Sequence, residues 1–209
     1  MASEGGEKPD VGSNGQVGAA AVVKKLPKGV WVVPLLRVVA FLATLAATIV
    51  MGINKETKTI VVAVIGSTPI SATLTAKFQH TPAFVFFVIA NAIASFHNLL
   101  MLAVEYFGNK FDFKGLRLLL IPILDMMIVA LVSGGAGGAV FMGELGRNGN
   151  SHARWNKICD KFESFCDHGA GAFIACYIGL LLLMIINVIS ILNLRNHLKY
   201  SPTNYSALP

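Results

Sequence analysis

Four long apolar stretches, about 30–53, 82–107, 117–143 and 170–194, alternate with short polar segments along the chain. Each exceeds the ~20 residues that a helix rising 1.5 Å per residue needs to cross a ~30 Å hydrocarbon core. The alternating ten-residue segments of an outer-membrane barrel are absent, so helices are the expected way to satisfy the backbone in lipid. The pattern predicts an all-α membrane protein, a four-transmembrane-helix bundle spanning 30–194. The first stretch is too long for a signal-peptide core, and no small-residue cleavage site follows it, so it is expected to stay as helix one.

Within this apolar pattern the polar exceptions carry the information. Asp125 lies inside the third stretch, where insertion of a carboxylate costs roughly 2.5 to 3.5 kcal/mol, so it calls for a partner or a function. Arg37 is the matching exception in the first stretch. A helix beginning after Arg37 would have only residues 38–53, short of a crossing, so Arg37 is placed inside the helix rather than at its edge. Counting from Lys28 puts Arg37 about 13 Å along its helix, and counting from Arg117 puts Asp125 about 12 Å along its own. Both helices enter from the same side, so the two charges are expected at one depth, as an ion pair. Such a pair predicts that exchanging the two charges preserves folding better than either single change.

In the second stretch Asn91, Ser95, Asn98 and Glu105 fall at offsets of 0, 4, 7 and 14, one face at 100° per residue. This stripe is expected to turn inward and hydrogen-bond between helices; the alternative is the lining of a solute path. His97 lies off this face and reads as a packed or interfacial histidine. In the third stretch Pro122 offers a kink beside Asp125. Beyond it Gly134 and Gly138 stand four apart, with Gly135 similarly spaced from Ala139, small-residue spacing suited to close helix packing or contact with another subunit. Ala175 and Gly179 repeat that spacing in helix four.

The loops add less. The segment 54–81 holds a strand-like run, TIVVAVI, and reads equally as a hairpin or an extended segment. The segment 144–169 contains Cys159 and Cys166, which an oxidising exterior would join as a disulfide. Zinc held by these with His152 and His168 matches no familiar finger spacing. Residues 1–29 are rich in Gly, Ser and charge and predict a disordered leader; 195–209 form a tail.

Composition agrees with a membrane protein. Of 209 residues, 55% are hydrophobic and 13% charged, and the mean hydropathy is +0.65. Ten Lys and Arg flank the side of the termini (Lys8, Lys24, Lys25, Lys28, Arg37, Lys110, Lys114, Arg117, Arg195, Lys199) against seven on the other, which predicts cytoplasmic termini. The net charge of +6 fits contact with anionic membrane lipid better than nucleic acid, for which no recognition motif occurs. No HExxH, GxSxG, Walker A or Rossmann glycine fingerprint is present, so neither an enzyme nor a cofactor or metal is expected.

Helix-one Arg37, helix-three Asp125, the block AKFQHTPAFVFFVIANAIASFHNLL and the loop WNKICDKFESFC together resemble the plant CASP-like proteins, relatives of the Casparian strip membrane domain proteins and of MARVEL-type proteins. The resemblance covers about residues 30–195 and is closest to the first CASP-like group. It implies a plasma-membrane protein forming homo- and hetero-oligomers with related four-helix proteins. For the Casparian members it implies a scaffold that marks a membrane domain and recruits extracellular cell-wall-modifying enzymes. In that family the helix-one Arg and helix-three Asp are characteristic, which carries over to Arg37 and Asp125. The first outer loop, GSTPISATLTAKFQHTPAF, lacks the signature of the true Casparian proteins. The rival reading is a channel or small-solute carrier lined by Asn91, Asn98, Glu105 and Asp125.

Overall fold

A computed structural model describes residues 31–107 and 114–200. The expectations for the leader, and for the tail beyond residue 200, lie outside the described residues. Four helices form the body: α1 (Val32–Gly52), α2 (Pro82–Phe107), α3 (Lys114–Asn148) and α4 (Glu163–Tyr200). All four contain a window long and apolar enough to cross a membrane.

The buried positions repeat at alternating spacings of three and four. In α1 they are Arg37, Ala40, Thr44, Ala47 and Met51; in α3 Asp125, Ile128, Val132, Ala136 and Ala139 follow nearly the same rhythm. That spacing keeps a narrow seam of α1 and of α3 facing the bundle axis. The seam is rich in alanine and polar groups, with Met51, Ile128 and Val132 among them, whereas Leu42, Phe96, Phe141, Ile174 and Leu181 are exposed on the outside. Many large apolar side chains thus face lipid while Met51, Phe87, Leu183 and Ile186 fill the interior, and small inward residues between them let the backbones approach. Gly179 shows how closely. A Cβ there would lie 2.9 Å from Thr44 Cγ2 and 3.4 Å from Ala43 Cβ, so α4 rests almost directly on α1.

Helix α1 packs against α2 and α4, and α3 packs against the same two. The section is therefore a square, with α1 and α3 on opposite corners. Helices α3 and α4 are longer than the apolar stretches 117–143 and 170–194, because backbone hydrogen bonding continues after hydrophobicity ends. Six residues expected in the tail, 195–200, are the last turns of α4.

Between α1 and α2 the chain forms an antiparallel hairpin of β1 (Lys55–Ile65) and β2 (Thr68–Lys77), followed by a 3-10 turn at Phe78–His80. Of the two readings of segment 54–81, the hairpin is the one formed. Gly66, the first of the two turn residues, has φ +65°, the positive value that tight hairpin turns require. The root of the hairpin is clamped to the start of α4. Phe165 N–H donates to Glu56 Oε2 at 2.8 Å, and Asn54 Nδ2 donates to Phe165 O at 2.7 Å. A carboxylate here satisfies one of the amides that every helix start leaves unpaired, and it complements the helix dipole. The Cys159–Cys166 disulfide, Cα–Cα 5.7 Å, ties the loop before α4 to the same turn. That loop is held in turn by Ile158 and Cys159 N–H groups donating to Gly146 O.

Lys58, 2.8 Å from Glu56, and the Phe165 N–H hold the Glu56 carboxyl below the usual range, against partial burial that pushes it up. A depressed folded-state value means that the anchor's contribution is complete above the unfolded value of about 4.3 and is lost as the pH falls through the folded value. Protection of the Phe165 amide, its exchange rate taken relative to the intrinsic rate at each pH, is expected to fall on acidification below about pH 4.3 in the native chain, and the Glu56→Gln variant to lack that pH dependence. Packing makes a second expectation. Gly179→Ala lowers the unfolding temperature in detergent, whereas Gly137→Ala, whose Cβ would meet nothing within 4 Å, leaves it unchanged or raises it.

Candidate functional site: an ion cluster on the bundle diagonal

Arg37 projects from α1 across the square to α3. Its Nη1 donates to Asp125 Oδ1 at 3.1 Å and its Nη2 to Asp125 Oδ2 at 2.8 Å, a two-pronged pair whose members are each 1% exposed. This planar match is specific to guanidinium; a lysine would offer only a point charge. The structure thus brings together the two residues singled out by depth, which lie 88 positions apart in sequence.

Two residues of α2 complete the cluster. His97 Nε2 lies 2.7 Å from Asp125 Oδ1. An ionised carboxylate only accepts hydrogen bonds, so Nε2 carries the hydrogen. Glu105 Oε1 lies 3.4 Å from Arg37 Nε, with the Glu105 side chain 29% exposed. The guanidinium therefore contacts two carboxylates, one deep and one near the rim.

His97 is the residue that the single polar stripe missed. Helix α2 touches both α1 and α3, so its buried arc is wider than one seam. Ala90, Ala94, His97 and Met101 form a second buried line at spacings of four, three and four beside the Asn91–Asn98 line. That second line was present in the sequence, and it places His97 inside.

The polar stripe behaves differently from expectation. Asn91 Nδ2 donates to Phe87 O, and Asn98 Nδ2 to Ala94 O, each at 2.9 Å and each four residues back on its own helix. Ser95 reaches across, lying 2.9 Å from Thr44 Oγ1 of α1 and equally close to Asn91 O, as does Glu105 toward Arg37. Buried in a thin seam, the amides find the nearest carbonyl on their own helix before one on a neighbour. The link between α3 and α4 comes instead from Asn187 Nδ2, which donates to Pro122 O at 3.1 Å, one turn before Asp125.

The glycine run divides by burial. Gly135 packs tightly on α2, with a Cβ there 3.1 Å from Ala90 Cβ. Gly134 and Gly138 are exposed, and a Cβ at either would reach only ordinary contact at 3.9 Å, with Phe86 and Ala83. Close packing within the bundle thus falls on Gly135 and Ala139, leaving Gly134 and Gly138 on the lipid-facing surface.

A cleft of about 1060 Å³ opens at the hairpin end, between β2 and the loop joining α3 to α4. Its walls carry both signs of charge, among them Lys77, Glu144, Arg147 and Asp160, beside Trp155. None of Arg37, His97, Glu105 and Asp125 lines it. Among the described residues no cluster of three or more His, Cys, Asp or Glu is arranged to hold a metal ion. Cys159 and Cys166, joined to each other, offer no thiolate.

The family model for the Casparian strip membrane protein domain matches residues 27–182. The chain belongs to that family. A CASP-like protein 1B2 of Populus trichocarpa is 66% identical over 194 residues, 93% of this chain and 96% of its own. A CASP-like protein 1B2 of Vitis vinifera is 62% identical over 202 residues, 97% of this chain and 98% of its own. One of Arabidopsis thaliana is 64% identical over 169 residues, 80% of this chain and 86% of its own. No solved structure matches the chain. These findings make it a multi-pass membrane protein of the CASP-like family, in the first subgroup.

The cluster changes what charge exchange should do. In an Arg37→Asp/Asp125→Arg double variant the introduced acid would face Glu105 and the introduced guanidinium would face His97. The double exchange is therefore expected not to restore thermal stability in detergent. Removing one member of a buried pair typically costs ~3 to 5 kcal/mol. Arg37→Leu, which takes the guanidinium from both Asp125 and Glu105, is expected to lower the unfolding temperature more than Asp125→Leu, which leaves Arg37 its contact with Glu105.

Proposed function

We propose that the protein is a non-enzymatic plasma-membrane scaffold, with both termini cytoplasmic, that assembles laterally to organise a membrane domain. The observation that carries this reading is the use of the interior charges. Asp125 is bound on both oxygens by Arg37 and again by His97, so the one deep acid is committed to holding α1, α2 and α3 together. The interior is thus a fastening, and contact with other molecules falls to the outer faces and the hairpin end. The exposed Gly134 and Gly138 of α3 supply a surface on which a helix of another subunit can approach closely.

The partners of this reading are membrane lipid and further copies or related four-helix proteins. Extracellular cell-wall-modifying proteins would meet the hairpin end. The excess of Lys and Arg on the terminal side supports the orientation. A conducting path along Asn91, Asn98, Glu105 and Asp125 is disfavoured, because the amide nitrogens of Asn91 and Asn98 are bonded to their own helix and Glu105 and Asp125 both pair with Arg37.

Single-particle tracking of the tagged full chain tests the reading. Slow, density-dependent diffusion in patches is the expected outcome, and monomer-like diffusion at every density would falsify it. Reconstituted vesicles provide the second arm: no ion or solute flux is expected, and flux abolished by Asp125→Asn would establish the carrier instead.

A further inference from the structure

The hairpin is amphipathic, and its apolar face is unclaimed. Paired residues share a face, so the register assigns Thr57, Thr75, Thr59, Thr73, Val61 and Ser71, and at the tip Val64 and Pro69, to one side. The hydroxyls of Thr57 and Thr75, and of Thr59 and Thr73, lie 3.0 and 3.1 Å apart on that side. The other side carries Ile60 opposite Ala72, Ala63 opposite Ile70, and Ile65 opposite Thr68, with Leu74 nearer the root. A register shift between Val61 and Ala63 makes Val62 an extra residue, which keeps Ile60, Ala63 and Ile65 on one face. Ile65 is 70% exposed, and Ile70 and Leu74 are each 44% exposed.

Three features narrow what covers this face. First, from Thr59 to Leu74 the hairpin has no charged residue, and Lys58 at the root is paired with Glu56 on the same face, so two such faces meet without like-charge repulsion. Second, both strand edges are interrupted, β1 by the extra residue and β2 by Pro69, devices that discourage edge-to-edge pairing and leave the face as the contact. Third, two strands about 4.8 Å apart over six residues offer only about 200–300 Å² per copy. A free-standing complex needs about 800 Å² per partner. A face this small holds only a partner already concentrated beside it. Insertion in one membrane gives every copy the same orientation and holds its hairpin at one height, which supplies that concentration for a second copy of this chain.

We propose that the hairpin face formed by Ile60, Ala63, Ile65, Ile70, Ala72 and Leu74 packs against the same face of a second copy in the same membrane. Two hairpins then make a small two-layer sheet, burying the apolar side of each while the threonine sides stay in water. Each hairpin also gains the extra layer that an isolated two-stranded sheet needs for stability. This inference rests on the lateral-assembly reading and names one surface through which assembly occurs.

Cysteine cross-linking of the full chain in lipid vesicles tests it, in a Cys176→Ala background that retains the Cys159–Cys166 disulfide. Adjacent strand residues point to opposite faces, so Ala72→Cys is expected to form cross-linked dimers about tenfold faster than Ser71→Cys. Ile65→Lys combined with Ile70→Lys is expected to abolish the Ala72→Cys cross-link while amide protection at Phe165 persists, which shows the hairpin root still docked. Equal cross-linking at both positions, or none at either while energy transfer between labelled wild-type copies persists, overturns the hairpin contact and leaves lateral assembly standing. Quenching of a label at position 72 by brominated lipid would also overturn it, by placing the face in the bilayer. Absence of energy transfer in the wild type removes the assembly reading itself.

Discussion

The arrangement of this bundle depends on one constraint, that a carboxylate and a guanidinium cannot remain separate in hydrocarbon. Arg37 and Asp125 sit on helices at opposite corners of the square, so their union is possible only when all four helices are in register about the axis. A pair between adjacent helices would fix one interface. A diagonal pair closes the whole section, because α2 and α4 must lie on either side of it. Burial of both charges is costly, and packing of apolar groups could supply as much stability. What the pair adds is selection: a bundle with a rotated or shifted helix leaves two charges stranded, so one arrangement is separated in energy from its neighbours.

The small residues are the counterpart of that pair. An arginine side chain can bridge a diagonal only if the helices approach closely, and the seam of Ala40, Ala47, Ala94, Ala136 and Ala139 allows this. Gly179 against Thr44 and Gly135 against Ala90 mark two close approaches, on α4 with α1 and on α3 with α2. Large side chains on these seams would separate the helices and lengthen the reach from Arg37 to Asp125. Small residues at the close approaches and charge in the interior are thus one design, with Phe87, Leu183 and Ile186 filling the space left inside and lipid accommodating the outward leucines, isoleucines and phenylalanines.

Depth was enough to find the pair, because helical rise converts residue count into position across the membrane. It was not enough to find its surroundings. A single stripe drawn through Asn91, Ser95, Asn98 and Glu105 assumes one contacted face, whereas α2 has two neighbours, and His97 lies on the face toward Asp125. Glu105 was placed on the right helix face, and there it meets the guanidinium of Arg37. The hairpin was obscured for a different reason. An extra residue at Val62 interrupts the alternation of TIVVAVI, so period-two counting fails across it even though the two faces remain consistent in space. Helix ends were misplaced because apolar stretches mark the passage through lipid, and α3 and α4 continue past it on backbone bonding alone.

The interior and the hairpin end are coupled through a short chain of contacts. The disulfide of Cys159 and Cys166 fixes the first turn of α4, and Phe165 in that turn holds both Asn54 and Glu56 at the hairpin root. Helix α4 packs on α1 through Gly179, in the same bundle that Arg37 closes. The hairpin is therefore carried on a frame whose geometry is set by the ion cluster, and its strands leave the membrane from a defined position rather than on a loose tether. A weak apolar face becomes useful for association only when it is presented in this way. Orientation fixed by the bundle and concentration fixed by the membrane reduce the entropy that association must overcome, so modest contact area suffices where it would fail in solution.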